Sequence, residues 1–184
     1  MPLVEPEEPL PTRKKLRLSG FDYRSPGIYF VTICTSERRC CFGDIAIEEV
    51  APSEGVALSE LGQLVRDAWL RVALTEFAVT LDEFVIMPNH MHALLELTSP
   101  KVSLSAVVGA FKSVSTRDAR EAGLLARAKL WQRGYHDHVV RDEASLGRIR
   151  EYIENNPLKW HLDRENPVNF GRESGRGRAP PLRI

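Results

Sequence analysis

The chain has 184 residues, and its 25 lysine and arginine residues balance its 25 aspartate and glutamate residues. A chain of this length forms one globular domain whose core needs no disulfide or metal staple. With three cysteines but no Cys-X-X-Cys pair, no apolar run near the roughly 18 residues of a membrane span and no signal-peptide pattern, the sequence predicts a cytoplasmic protein without a membrane segment.

The folded part is predicted to span residues 21–166, between a loosely attached or disordered Pro- and Glu-rich arm (1–20) and an Arg-, Gly- and Pro-rich tail (167–184). The β-branched and aromatic run 27–35 predicts its first strand. From about Ser59, apolar residues recur at helical spacing, which indicates an amphipathic helix.

The remainder is predicted to supply three more strands and two more helices. In chain order these are strands 81–87 and 90–97 around a Pro88-Asn89 turn, a helix from Ser103, a strand at 130–140 and a helix from Asp142 to Pro157. The order β-α-β-β-α-β-α predicts an α+β fold, a ferredoxin-like or RRM-like sandwich in which an antiparallel sheet of about four strands carries its helices on one face.

The zero net charge hides an asymmetry along the chain. Residues 25–100 hold four basic and eleven acidic side chains, whereas residues 101–150 hold ten basic and five acidic ones. A basic stretch of this kind can form a polyanion-binding face, and a solvated helix surface is the alternative.

His90 and His92 stand two residues apart in the predicted strand 90–97, so both side chains leave the same face of the sheet, where two imidazoles can share a metal ion. Met91 points the other way, towards the core. Glu96 shares the face of the histidines but lies about 13 Å beyond His92, too far to complete a compact site. Two surface histidines on an amphipathic strand are the alternative.

Tyr152 and Asn156 stand one helical turn apart and so share a face of the last helix. A packing tyrosine and an ordinary helix C-terminal residue are the alternatives. Taken together, however, an oxygen ligand, a phenol and two imidazoles are the parts needed for metal-assisted attack on a phosphodiester.

Four blocks carry a resemblance to a known family. They are Gly27-Ile-Tyr-Phe-Val-Thr-Ile-Cys34, Phe84-Val-Ile-Met-Pro-Asn-His-Met-His92, Trp131-Gln-Arg-Gly-Tyr-His-Asp-His138 and Arg150-Glu-Tyr-Ile-Glu-Asn-Asn-Pro157. In this order, over about residues 16–165, the chain resembles the REP-associated tyrosine transposases, which belong to the single-tyrosine HUH transposases.

The resemblance implies that His90, His92 and Asn156 bind Mg²⁺ or Mn²⁺ and that Tyr152 is the nucleophile. It also implies an RRM-like sheet with the histidines on a central strand, crossed by the tyrosine helix. The implied partner is single-stranded DNA beside a hairpin, a REP-like palindrome, which is cut and rejoined through a 5′-phosphotyrosine. Whether the protein acts as a monomer or a homodimer is left open.

The basic stretch and the third block supply candidate DNA contacts. Lys112, Arg117 and Arg120 are candidates for phosphate contacts, and Trp131, Arg133 and Tyr135 for base stacking and phosphate contacts. His138 is a candidate for a hydrogen bond or another contact with DNA. Solvated surface is the alternative for the lysine and arginines, and core packing for Trp131. His136 and His138 form a second His-X-His, but Asp137 replaces the apolar residue between them, so they are not assigned to a metal.

Two other function classes remain open. A non-catalytic RRM-like module would stack bases on its histidines, but the aromatic RNP blocks of an RRM are missing from the sequence. A metal-dependent phosphodiesterase would use water in place of Tyr152 and would never become attached to DNA.

Overall fold

The computed structural model describes residues 22–45, 56–72, 78–163 and 165–169. The predicted arm at 1–20 and most of the predicted tail lie outside these residues. The strands are β1 (Gly27–Cys34), β2 (Gly43–Asp44), β3 (Ala57–Leu58), β4 (Val79–Met87), β5 (His90–Leu97) and β6 (His136–Val140). The helices are α1 (Glu60–Val72), α2 (Leu104–Glu121) and α3 (Glu143–Glu154), with short 3₁₀ helices at Ser36–Arg38, Pro157–Leu162 and Pro167–Asn169.

Four strands form one antiparallel sheet in the order β4-β5-β1-β6, and β2 pairs with β3 separately. This sheet, with helices packed against it, confirms the predicted α+β fold class. β5 lies in the interior of the sheet between β4 and β1, so the histidine strand is held by hydrogen bonds on both sides. No helix in the described part of the chain is both long enough and apolar enough to cross a bilayer.

The sheet buries apolar side chains on both faces, so the prediction of helices on one face is wrong for α3. On the first face, Val31 and Met91 pack with α1 and α2. On the second face, Phe30 and Leu94 pack against an apolar stripe of α3. Neighbouring residues of a strand point to opposite faces, so the apolar run of β1 needs a cover on each side, and α3 supplies the second.

The predicted strand at 130–140 is shorter than expected. Only β6 at its end is continuous, and the segment before it touches the sheet through a single bridge between Thr35 and Trp131. Gly134 interrupts the extended backbone with a φ of 87°, a conformation that favours glycine.

Candidate metal and tyrosine site

The histidine pair lies at the start of β5, on the face that α3 covers. His90 is fully buried and His92 is 4% exposed, and their Nε2 atoms are 3.0 Å apart. Two ligands placed at right angles about 2.1 Å from an ion are themselves about 3 Å apart. The spacing therefore fits two neighbouring ligands of one octahedral metal ion.

Hydrogen bonds to the opposite ring nitrogens orient both imidazoles. The amide nitrogen of Asn89 donates to the carbonyls of Arg38 and Glu165, so its Oδ1 accepts from His90 Nδ1 at 2.9 Å. On His92, Nδ1 lies 2.8 Å from Thr32 Oγ1. The proton on His90 Nδ1 leaves its Nε2 with the lone pair that a metal requires, and His92 presents the same lone pair when its Nδ1 donates to the Thr32 hydroxyl.

Asn156, the predicted third ligand, has a buried side-chain oxygen. The residue is 3% exposed, and its Oδ1 has no hydrogen-bond partner in the described structure. The residue follows the end of α3, and its backbone is fixed by bonds to Ile153 and Lys159. A buried amide oxygen without a donor is costly unless something else satisfies it, and a cation does so.

Asp163 is an acidic residue of the site that sequence reasoning missed. It ends the 3₁₀ helix Pro157–Leu162, and its Oδ2 lies 3.9 Å from His90 Nε2. One ligand atom from each of His90, His92 and Asp163 falls within 4.8 Å of the others. The residue lies outside any periodic segment, so only its acidic character was visible in the sequence.

The segment that carries Asp163 is fastened to the turn before β5. The carbonyl of Glu165 accepts from Asn89 at 2.6 Å, and its carboxylate, 3% exposed as a residue, pairs with Arg38 at 2.5 Å. Asp163 Oδ1 accepts from the backbone N–H of Glu165 at 2.7 Å. One amide, that of Asn89, therefore connects the strand that carries the two histidines to the segment with the acidic residue.

Tyr152 projects from α3 onto the histidine pair. Its hydroxyl oxygen lies 3.3 Å from His92 Nε2, and its ring meets His92 and Phe30 edge to face. Phe30 in turn stacks on His92 with ring centroids 5.4 Å apart. A phenol in this position lies beside the nitrogens that would hold the metal, where a cation favours its ionised form.

A bidentate ion pair joins α3 to strand β4 of the sheet. Arg150 Nε and Nη2 donate to the two carboxylate oxygens of Asp82 at 3.1 and 2.7 Å. Asp82 lies where the pairing of β4 with β5 shifts register. The hydrogen bonds from Arg150 lower the pKa of Asp82 below its ordinary value, because they stabilise the carboxylate.

The basic residues predicted on α2 lie on the other side of the sheet from the histidines. Arg117 and Arg120 are exposed and, with Lys129, line a groove of about 580 Å³. Lys112 borders the groove, but its ammonium group donates to the carbonyls of Gln132 and Gly134, and burial lowers its pKa to about 8. DNA contacts by these residues remain predictions.

The predicted DNA-contacting residues of the third sequence block lie in different environments. Trp131 is 7% exposed, packs on Phe42 and Phe111 and donates to Ser115, so it has no ring face for a base, which corrects its predicted stacking role. Its alternative, core packing, is what the structure shows. Arg133 is exposed, and Tyr135 packs partly on the α2 side beneath Lys112.

His138 pairs with Phe30 across β1 and β6, which puts it on the same face as His90 and His92. It is half-buried, and burial lowers the pKa of its imidazole below the ordinary value. The structure thus places one predicted DNA contact, His138, on the site face and the α2 group on the opposite face.

Residues 28–156 match the family Transposase IS200 like. The chain is 34% identical to an uncharacterized protein of Haemophilus influenzae over 82% of this chain and 91% of that protein. It is 27% identical, over 40% of this chain and 47% of the other, to a second Haemophilus influenzae protein whose name assigns it to the REP-associated tyrosine transposases.

The solved structure of a REP-associated tyrosine transposase bound to a REP hairpin shares the fold, with a TM-score of 0.58 and 21% identity over 89% of this chain and 88% of that one. The resemblance drawn from the four sequence blocks is thereby confirmed. Because the family match spans both histidines, Tyr152 and Asn156, the chain belongs to the IS200-like transposase family.

Proposed function

We propose that the protein cleaves and rejoins single-stranded DNA beside a hairpin, with Tyr152 as the nucleophile and a divalent metal ion at the histidine pair. The observation that carries this proposal is the position of the Tyr152 oxygen, 3.3 Å from His92 Nε2 and next to the paired Nε2 atoms. A packing tyrosine would bury its ring, but it would not need its hydroxyl at a metal-binding pair.

The residues present fit a small divalent cation. His90 and His92 would bind it through Nε2, Asn156 through its unsatisfied Oδ1 and Asp163 through a carboxylate oxygen. The two oxygens suit Mg²⁺ and Mn²⁺, and the two imidazole nitrogens favour Mn²⁺ of the two. When bound, such an ion supplies positive charge that offsets the negative charge of the scissile phosphate.

Tyr152 would attack phosphorus with its phenol oxygen. The Tyr152 oxygen–phosphorus bond forms as the bond from phosphorus to the 3′ oxygen breaks, so the products are a 5′-phosphotyrosine and a 3′ hydroxyl. The phenol proton is lost to solvent, and the departing 3′ oxygen gains one. Because the phosphotyrosine ester replaces the phosphodiester bond that was broken, attack by a 3′ hydroxyl can reverse the step without ATP.

The hairpin is proposed because of the REP-associated relative, whose solved complex holds one. His138 is available for the strand that crosses the site face, whereas Arg117, Arg120, Lys129 and Arg133 are proposed to hold phosphates elsewhere. Replacing Arg117 or Arg120 by Gln should weaken binding for all sequences and lower the slope of log affinity against log salt by about 1 each.

The experiment is a denaturing gel after incubation with Mn²⁺ or Mg²⁺ and hairpin-bearing single-stranded DNA labelled on the 3′ side of the cut. We expect label on the protein, lost in Tyr152→Phe and in His92→Ala. Tyr23→Phe, which alters a tyrosine packed against the α1–α2 side of the core, is the matched control and should keep the adduct.

The rival classes give different gels. Cut DNA that is free of protein and unchanged in Tyr152→Phe would indicate a phosphodiesterase that uses water. Binding with no cut DNA in either metal would indicate a non-catalytic module, and either result would refute the proposed function.

A further inference from the structure

Trp160 lies beside the metal-binding pair and was not used in the proposed chemistry. Its ring centroid is 6.0 Å from that of His90, with the two planes tilted by 36°. The side chain is half-buried, whereas Trp69 and Trp131, the other two tryptophans of the chain, are 0% and 7% exposed in the core. Trp160 is therefore the tryptophan that presents indole surface to solvent at the site.

The local structure fixes where this indole lies. Residues three apart align in a 3₁₀ helix, so Trp160 and Asp163 lie on the same side, and both approach His90. The carbonyl of Trp160 accepts from the Asn166 side chain and from the Asp163 backbone, each at 3.0 Å. These bonds fix the backbone that carries the indole, and the ring itself contacts His90.

The surroundings of Trp160 suit a single-stranded nucleic acid. Lys159, next to it on the same short helix, is exposed, as are Leu158 and Leu162 at 59% and 72%. An aromatic ring with a nearby cation is the usual combination at a single-strand binding site. A nucleotide whose phosphate reaches the histidines brings one of its flanking bases within reach of the indole.

We propose that Trp160 is the base-stacking residue of the site and positions the scissile phosphate by holding a neighbouring base. This inference rests on the proposed action on single-stranded DNA. It assigns to Trp160 the stacking role that the sequence had suggested for Trp131, whose ring is enclosed in the core. Because every base has a π-face, such a contact fixes position without requiring a particular base.

The test uses the Tyr152→Phe protein, which cannot form the covalent adduct, so the result does not depend on cleavage. Binding of a short oligothymidylate is compared with binding of an abasic deoxyribose-phosphate strand of equal length. The comparison is made for Tyr152→Phe alone and with Trp160→Ala, Trp160→Phe or Leu162→Ala added to it. Tryptophan emission is recorded in the same titrations, and Mn²⁺ affinity is measured for each variant.

We expect Trp160→Ala to bind oligothymidylate roughly 5- to 150-fold more weakly, with little change for the abasic strand. Trp160→Phe should restore much of the preference for bases, and Leu162→Ala should keep it. Oligothymidylate should quench the emission in Tyr152→Phe but not after Trp160→Ala, since Trp69 and Trp131 are enclosed.

An undiminished preference for bases in Trp160→Ala would overturn the inference. So would a loss of Mn²⁺ affinity in Trp160→Ala with the base preference intact, because Trp160 would then only support His90. Neither result concerns the phosphotyrosine, which the gel with Tyr152 tests separately.

Discussion

The substitution Asn89→Ala removes three hydrogen bonds from a fully buried position. Asn89 Oδ1 accepts from His90 at 2.9 Å, and Nδ2 donates to the carbonyls of Arg38 and Glu165 at 3.1 and 2.6 Å. A buried polar group left without a partner costs about 1 to 3 kcal/mol. With three groups affected, the free energy of unfolding should fall by at least about 3 kcal/mol.

The same substitution should weaken the metal site. Without Asn89, His90 loses the acceptor that keeps its proton on Nδ1, and the segment bearing Asp163 loses its attachment to the turn. Loss of a partner that orients a metal ligand typically lowers metal affinity by about 10- to 100-fold. Urea unfolding measures the stability, and calorimetric titration with Mn²⁺, at a temperature where the variant is folded, measures the affinity.

Asn155→Ala is the matched control, because its side chain makes one local bond, to the Glu151 carbonyl at 2.9 Å. It should cost about 0.5 to 1.5 kcal/mol and leave the Mn²⁺ affinity unchanged. If folded Asn89→Ala bound Mn²⁺ as tightly as the wild type, the argument that this amide sets the tautomer of His90 and places Asp163 would fail.

Three further predictions concern charged groups. Asp163→Asn, which keeps an acceptor for Glu165 but loses the charge, should lower Mn²⁺ affinity by at least about tenfold in the same titration; equal affinity would exclude Asp163 as a ligand. A double-mutant cycle on Asp82 and Arg150 should give a small stabilising coupling at pH 7. Because hydrogen bonds from Arg150 lower the pKa of Asp82 below its ordinary 3.8, this coupling should shrink as the pH falls below that value, and the same coupling at pH 2 would refute the pair. The pKa of Lys112 is lowered from 10.5 to about 8, so between these pH values the unfolded state binds a proton that the folded state lacks. The free energy of unfolding of the wild type should therefore rise relative to that of Lys112→Met from pH 7 to 10. Parallel plots of unfolding free energy against pH for the two proteins would contradict this.

Most of the secondary structure followed from local patterns. The apolar spacing after Ser59 predicted α1, which spans Glu60–Val72, and the alternation around Met91 correctly placed the histidines on the opposite face of the sheet from Met91. Short-range chemistry also located the Asp142 cap, whose side chain accepts from the backbone N–H of Ser145. These features depend on residues within a few positions of one another, so a single sequence is enough to find them.

Which helix packs on which face of the sheet could not be predicted from the sequence. Phe30 and Leu94 occupy alternate positions of their strands and point away from α1 and α2, but no local rule states which element will cover them. Trp131 shows the same difficulty at one residue, since an aromatic side chain in a basic stretch suits both DNA and a core, and only the packing of Phe42 and Phe111 around it distinguishes the two.

The sequence by itself located the main strands and the three α-helices. It also paired His90 with His92 and Tyr152 with Asn156, because strand and helix periodicity place such neighbours on one face. The tertiary structure alone decided that Asp163 and Trp160 reach His90, and that Asn89 holds the segment through Glu165, 76 positions further along the chain. These contacts join a turn to an irregular segment without periodicity. They form only when tertiary packing brings two segments far apart in the sequence together, and no local sequence pattern predicts which segments meet.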